Sequence, residues 1–158
     1  MLFDVDGVMT DGTVYMGAQG EALKAFNILD GHGLRMLLDA GVVTAIISGR
    51  SSEAVARRAA ELGIAHVTQG AKDKVAEFER LRIAVGIEAQ ACAFMGDDLP
   101  DLAVMRLCGL SASVPNGAQD VRDAAHLVTR AHGGRGAVRE FCDLLLAARA
   151  QLGPAAAV

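Results

Sequence analysis

From residue 31 onward the chain alternates between two hydrophobic rhythms, with glycine marking each change. Leu34, Leu37 and Leu38 recur at helical spacing until Gly41, and the apolar run Val42-Val43-Thr44-Ala45-Ile46-Ile47 then predicts a buried strand. Val55, Ala59 and Leu62 repeat the helical stripe up to Gly63, ahead of a strand near Ala65 to Val67. Val75, Phe78, Leu81 and Val85 predict a third helix ended by Gly86, followed by a strand over Ala91 to Met95. Leu102 and Met105 mark a fourth helix, and Gly109 leads into Leu110 to Val114. Val138, Phe141, Cys142 and Leu145 predict a last amphipathic helix after the turn Gly133-Gly134-Arg135-Gly136. Glycine just past a helix is an expected stop, because it adopts the left-handed conformation at little cost. Short, continuously apolar strands between helices imply a parallel sheet covered on both faces. The fold class is therefore α/β, a doubly wound, Rossmann-like parallel sheet.

Two stretches break the alternation. Residues 13–27 read as a β-hairpin turning at Gly17 to Gly20, inserted after the first strand. A lone two-stranded hairpin is marginal in water, so a second subunit is the economical partner for it. At the other end, residues 153–158 offer few packing anchors and are expected to fray. Residues 1–152 are then one domain. Only Met1-Leu2-Phe3 precede Asp4, which is short for a mid-sheet strand and leaves room for a start upstream of Met1.

Composition narrows the function classes. A chain of 158 residues, 52% hydrophobic but only 4% aromatic, builds one aliphatic core. A net charge of -4 argues against a nucleic-acid footprint. No apolar run is long enough to cross a bilayer and no secretory leader is visible. Cys92, Cys108 and Cys142 are isolated among apolar neighbours and read as reduced core residues. Together these place the protein in the cytoplasm.

In a doubly wound sheet, ligands bind beyond the carboxyl ends of the strands. Asp4 and Asp6 follow the first strand, Ser48-Gly49-Arg50 the second, Gly70 to Lys74 the third, and Gly96-Asp97-Asp98-Leu99-Pro100-Asp101 the fourth. Each segment alone could be a turn or a helix cap. Their meeting on one rim is more specific than any of them. Two like charges about 4 Å apart repel by roughly 4 kcal/mol near a protein surface. Asp4, Asp97 and a phosphate dianion therefore require a cation between them. Mg²⁺ suits that role, being hard and oxygen-seeking. Lys74 adds positive charge, and Ser48 a hydrogen bond to a phosphoryl oxygen.

Asp4-x-Asp6-Gly7, Ser48, Lys74 and Gly96-Asp97-Asp98-x-x-Asp101 resemble, in order and spacing, the four motifs of the haloacid dehalogenase superfamily. Phe3 to Gly12, Leu23-Lys24-Ala25-Phe26-Asn27, Asp30-Gly31-His32-Gly33 and Gly133 to Glu140 extend the resemblance over nearly the whole chain. They look like the capless 3-deoxy-D-manno-octulosonate 8-phosphate (KDO 8-phosphate) phosphatases of lipopolysaccharide precursor synthesis. Leu29 departs from the basic residue expected there in that family. The resemblance implies Asp4 as nucleophile and Asp6 as general acid and base. It implies Mg²⁺ held by Asp4, the backbone carbonyl of Asp6, and Asp97, with Asp98 and Asp101 supporting from behind. Ser48 and Lys74 would complete the catalytic set and bind substrate alongside Asp6. Arg50, with Arg135 or Arg139 from a partner's C-terminal segment, would meet the sugar-acid carboxylate. The short spans between Asp6 and Ser48 and between Lys74 and Asp97 leave no space for a cap. A neighbouring subunit is expected to help close the open site, and the resemblance implies a homotetramer with shared sites. Alternatives are a phosphatase of a related nonulosonate 9-phosphate and, in a different class, a non-catalytic oligomerisation module. The intact set of Asp4, Asp6, Ser48, Lys74 and Asp97 argues against the second.

Overall fold

The computed structural model describes residues 1–152. The expected frayed tail, Gly153 to Val158, lies outside the described residues. Six parallel strands form the main sheet in the order β5-β4-β1-β6-β7-β8. They are β1 (Leu2–Phe3), β4 (Ala45–Ile47), β5 (His66–Thr68), β6 (Ala93–Met95), β7 (Leu110–Ser113) and β8 (Leu127–Val128). A separate antiparallel pair, β2 (Tyr15–Gly17) and β3 (Gly20–Leu23), is the expected hairpin.

Short as it is, β1 occupies the middle of the sheet. Leu2 and Phe3 sit opposite Ala45 and Ile46 on one side and opposite Phe94 and Met95 on the other. The Met1 amine donates to Val43 O at 2.6 Å, and Asp4 N donates to Met95 O at 2.9 Å, so pairing continues past both ends. Alternation of side chains across the pleat then sorts the core into two layers. Phe3, Ile46 and Met95 pack with α1 (Ile28–Asp39), α2 (Glu53–Leu62) and α6 (Ala137–Leu152) on one face. Leu2, Ala45, Ile47 and Phe94 pack with α3 (Lys74–Val85), α4 (Leu102–Leu107) and α5 (Gln119–Ala124) on the other. The helix boundaries follow local chemistry. Asn27 and Asp73 cap α1 and α3 by accepting from the first free amides, and Gly63 and Gly86 end α2 and α3 in the left-handed conformation.

Three local expectations shift. Val42 to Thr44 precede the ladder instead of joining it, because β1 opposite them starts only at Leu2. Ala91 closes a 3-10 turn over Ala89–Ala91, its amide donating to Glu88 O, so β6 begins at Ala93. The short α5 and β8 carried no readable period: α5 buries only Val121, and Val128 of β8 is exposed. Cys92, Cys108 and Cys142 are free and buried, and burial pushes the last two thiols up to about 12, so they pack as apolar groups. Among the described residues, no helix is long and apolar enough to cross a membrane.

Phe141 is 1% exposed and anchors α6 to α1 and the sheet. Phe141→Ala is expected to cost about 3–5 kcal/mol of unfolding free energy, measurable by urea titration.

Candidate active site

Parallel strands deliver their carboxyl ends to one rim, and the rim opens on a cavity of about 460 Å³. Asp4 stands there, directly after β1. Beyond it the chain coils tightly, with Val8, Met9 and Thr10 amides all donating to Val5 O. Thr10 Oγ1 braces the coil, donating to Val5 O and accepting from the Gly7 and Gly12 amides. Gly7 has φ +100°, and a Cβ there would lie 2.0 Å from Asp97 Oδ2. Only glycine lets the Asp4 loop and the Asp97 loop approach this closely. Asn116 ties in the C-terminal turn, donating to Gly7 O at 3.0 Å and accepting from Gly133 N at 2.8 Å.

Lys74, 8% exposed at the start of α3, is the electrostatic centre. Its Nζ lies 2.6 Å from both Asp4 Oδ1 and Asp101 Oδ1. Asp101 Oδ2 accepts in turn from the Asp97 and Asp98 amides at 3.1 and 3.3 Å. Asp98 caps the same turn through Leu99 N. Burial would lower the Lys74 ammonium, but Asp4 and Asp101 together outweigh it and raise it. Burial, followed by the Asp101 charge, pushes Asp4 up to about 6 despite Lys74. Burial, then Asp4, Asp101 and Asp98, pushes Asp97 up to about 8.

One lysine thus faces three carboxylates whose oxygens converge within 4.8 Å. Asp101 has both oxygens engaged by the protein, whereas the buried Asp97 Oδ1 has no hydrogen-bond partner among the described residues. A buried, unpaired carboxylate oxygen beside an excess of negative charge is the signature of a hard-cation site, and the donors fit Mg²⁺. Asp4, Asp97 and Asp101 are the carboxylates that could hold such an ion, and Asp101 is the one already bonded through both oxygens.

Comparison with known proteins agrees with this geometry. A family model of haloacid dehalogenase-like hydrolases matches residues 59–141. The 3-deoxy-D-manno-octulosonate 8-phosphate phosphatase of Yersinia pestis is 47% identical over 152 residues, 96% of this chain and 81% of that protein. The chain belongs to the haloacid dehalogenase-like hydrolases. The enzyme of that name from Escherichia coli K12 matches over the same shares at 47% identity. The crystal structure of the Moraxella catarrhalis phosphatase, in complex with magnesium, phosphate and KDO, superposes with a TM-score of 0.92 at 46% identity. It covers 95% of this chain and 86% of its own. The cobalt-bound Haemophilus influenzae enzyme gives the same TM-score at 40% identity, covering 94% of this chain and 87% of its own.

In this hydrolase the remaining expected residues divide into two groups. Ser48, 2% exposed at the end of β4, lines the cavity, its Oγ accepting from Arg50 N at 3.3 Å. Asp6, Arg50 and Asp98 line it too. Arg50 is turned toward the hairpin, with Nη2 3.1 Å from Glu21 Oε2 and Nε 3.7 Å from Asp6 Oδ2. Arg135 and Arg139 do not line this chain's own cavity. Arg135 lies beside Asp11, while Arg139 pairs with Asp143 and donates its amide to Asp30. Reading by spacing missed Lys24, whose ammonium pairs with Asp6 and Glu21. Lys24 lies 18 positions after Asp6, across a loop and the hairpin, and no local period connects them. A second cavity of about 510 Å³ lies at the opposite end of the strands, lined by apolar groups such as Val42, Leu81 and Leu145. Among the described residues it gathers no carboxylates, so the chemistry belongs to the first.

Folded Asp97 keeps its proton up to about pH 8, whereas unfolded Asp97 releases it near 3.8. Its contribution to stability is full below 3.8 and lost as pH climbs through about 8, unless a cation replaces the proton. The rise in Tm on adding Mg²⁺ is therefore expected to be larger at about pH 8 than at about pH 5.5, and to shrink in Asp97→Asn. Differential scanning calorimetry across pH checks this.

Proposed function

We propose that this hydrolase is a Mg²⁺-dependent phosphatase that cleaves KDO 8-phosphate to KDO and inorganic phosphate, in lipopolysaccharide precursor synthesis. The observation that carries the reading is the buried Asp4–Lys74–Asp101 cluster beside the unpaired Asp97 oxygen, all on the rim that also bears Ser48 and Asp6. The 47% identity to phosphatases of that name supports the substrate.

In this mechanism Asp4 attacks phosphorus in line, with the oxygen that Lys74 does not hold. The bond from phosphorus to the sugar oxygen breaks, and Asp6 gives its proton to the departing alkoxide. The resulting aspartyl-phosphate is hydrolysed by a water whose proton returns to Asp6, and Asp4 leaves as a carboxylate. Lys74 fixes the orientation of Asp4 and offsets its charge, while the Ser48 hydroxyl donates to a phosphoryl oxygen. Asp4, Asp97 and the Asp6 carbonyl would hold Mg²⁺, which when bound would supply charge neutralisation for the phosphate. Asp98 and Asp101 orient these groups.

Residues 1–152 act as one catalytic unit in a cytoplasmic homotetramer. Tyr15, Met16 and Leu23 expose apolar surface on the hairpin, and Ile28 and Leu29 continue it onto α1. Such a patch favours a partner copy. Arg135 and Arg139, which lie away from their own cavity, would reach the sugar carboxylate of a neighbour. Leu29, in place of a basic residue, also keeps a nine-carbon sugar-acid phosphate as the second reading.

Phosphate release from a panel of sugar-acid phosphates tests the proposal. KDO 8-phosphate is expected to be preferred, chelator to abolish the rate, and Asp4→Asn to leave no turnover. Activity persisting in Asp4→Asn would remove the mechanism, while equal rates on nine-carbon substrates would move only the sugar. Sedimentation is expected to show a tetramer, and a stable active monomer would contradict the shared site.

A further inference from the structure

The hairpin is more than a contact surface. Its last strand residue, Leu23, leads directly to Lys24, whose side chain is only 2% exposed although most of the hairpin lies in solvent. The Lys24 ammonium is paired with Asp6 Oδ1 and stands 3.2 Å from Glu21 Oε2. Glu21 is itself fixed from outside the hairpin. It accepts from Ser52 Oγ at 2.6 Å and from Arg50 Nη2 at 3.1 Å, so it joins β3 to the loop that carries Ser48. Lys24 does not line the cavity, so it faces Asp6 without meeting the substrate.

We propose that Lys24 is a positioning residue for the reaction: it holds Asp6 Oδ1, so that the proton destined for the leaving group travels on Oδ2. This rests on the reading of Asp6 as the proton donor. The physical reason lies in the freedom of the side chain. An aspartate on a tight loop can turn about two torsions, and proton transfer needs one oxygen placed within hydrogen-bond reach of the departing oxygen. A lysine locked between two carboxylates removes that freedom on one side, and Arg50 Nε, 3.7 Å from Oδ2, flanks the other. The hairpin, unable to stand alone as two strands, is tied down through the same residues. Docking of the hairpin and alignment of the acid then depend on one network: Asp6, Lys24, Glu21, Arg50 and Ser52.

The test uses leaving-group chemistry. A sugar alkoxide needs a proton to depart, whereas p-nitrophenolate does not. Lys24→Met keeps length and apolar bulk but removes the cation. It is expected to lower kcat/KM for KDO 8-phosphate about 100-fold, and that for p-nitrophenyl phosphate by less than about 3-fold. Inhibition by inorganic phosphate should be unchanged, and Lys24→Arg should recover most of the loss. Asp6→Asn should show the same contrast between the two substrates. Equal losses on both substrates in Lys24→Met, or no loss, would overturn the proposal while a selective Asp6→Asn leaves the reading of Asp6 standing. An Asp6→Asn variant without the contrast would instead remove the reading itself, and the proposal with it. If Lys24→Met does not fold, Glu21→Gln reads the same contrast by loosening Lys24 without opening a cavity. A selective loss of about 5-fold is expected there, and equal effects on both substrates would overturn the proposal.

Discussion

A buried lysine shared by two carboxylates is the interaction on which the site depends. Lys74 begins α3, where the helix dipole disfavours a cation, and it is nearly inaccessible to water. It is tolerable there only because Asp4 and Asp101 stand 2.6 Å from its ammonium. Removing either partner from such an arrangement leaves a buried charge uncompensated, at a cost of about 3–5 kcal/mol. The cluster thereby locks together the end of β1, the start of α3 and the turn after β6. Those three segments are far apart in sequence and must be brought within 1 Å or so of their working positions for phosphoryl transfer.

The same cluster explains why the site needs a metal. Three carboxylates and one ammonium leave an excess of negative charge in a poorly solvated place, and Asp97 absorbs it by holding its proton up to about pH 8. A divalent cation relieves that strain and prepares the cavity for a phosphate dianion. Gly7 makes this possible, since any side chain there would collide with Asp97. Gly133 does comparable service on the other side of the loop, where a Cβ would fall 1.7 Å from Gly7 O. The C-terminal turn is thus pressed against the loop that follows Asp4 and held by Asn116.

The hairpin lies between the loop that follows β1 and the start of α1. It leaves the cavity open, yet it reaches back through Lys24 and Glu21 to Asp6 and to the loop bearing Ser48. Exposed apolar residues on its outer surface and buried charge on its inner surface give it two different tasks. The first is the surface proposed to meet a partner copy; the second faces Asp6 and the rim of the cavity.

The main sheet, its parallel strands and the hairpin were legible in the chain, because hydrophobic period and glycine stops are local signals. So were Asp4, Asp6, Ser48, Lys74 and Asp97, since each follows or opens an element whose end the pattern marks. Lys74 was legible as positive charge on the rim, and its partners proved to be the protein's own Asp4 and Asp101. The short α5 and β8 escaped notice because six and two residues cannot display a period. What lay beyond the sequence was pairing: that Lys24 meets Asp6, that Arg50 turns to Glu21, and that Arg135 and Arg139 point to their own acidic neighbours. By itself the sequence determined which residues stand on the rim, because strand order and element ends are written in local periodicity. Only the tertiary structure decided which charge faces which, because a salt bridge depends on distances between side chains that no spacing along the chain encodes.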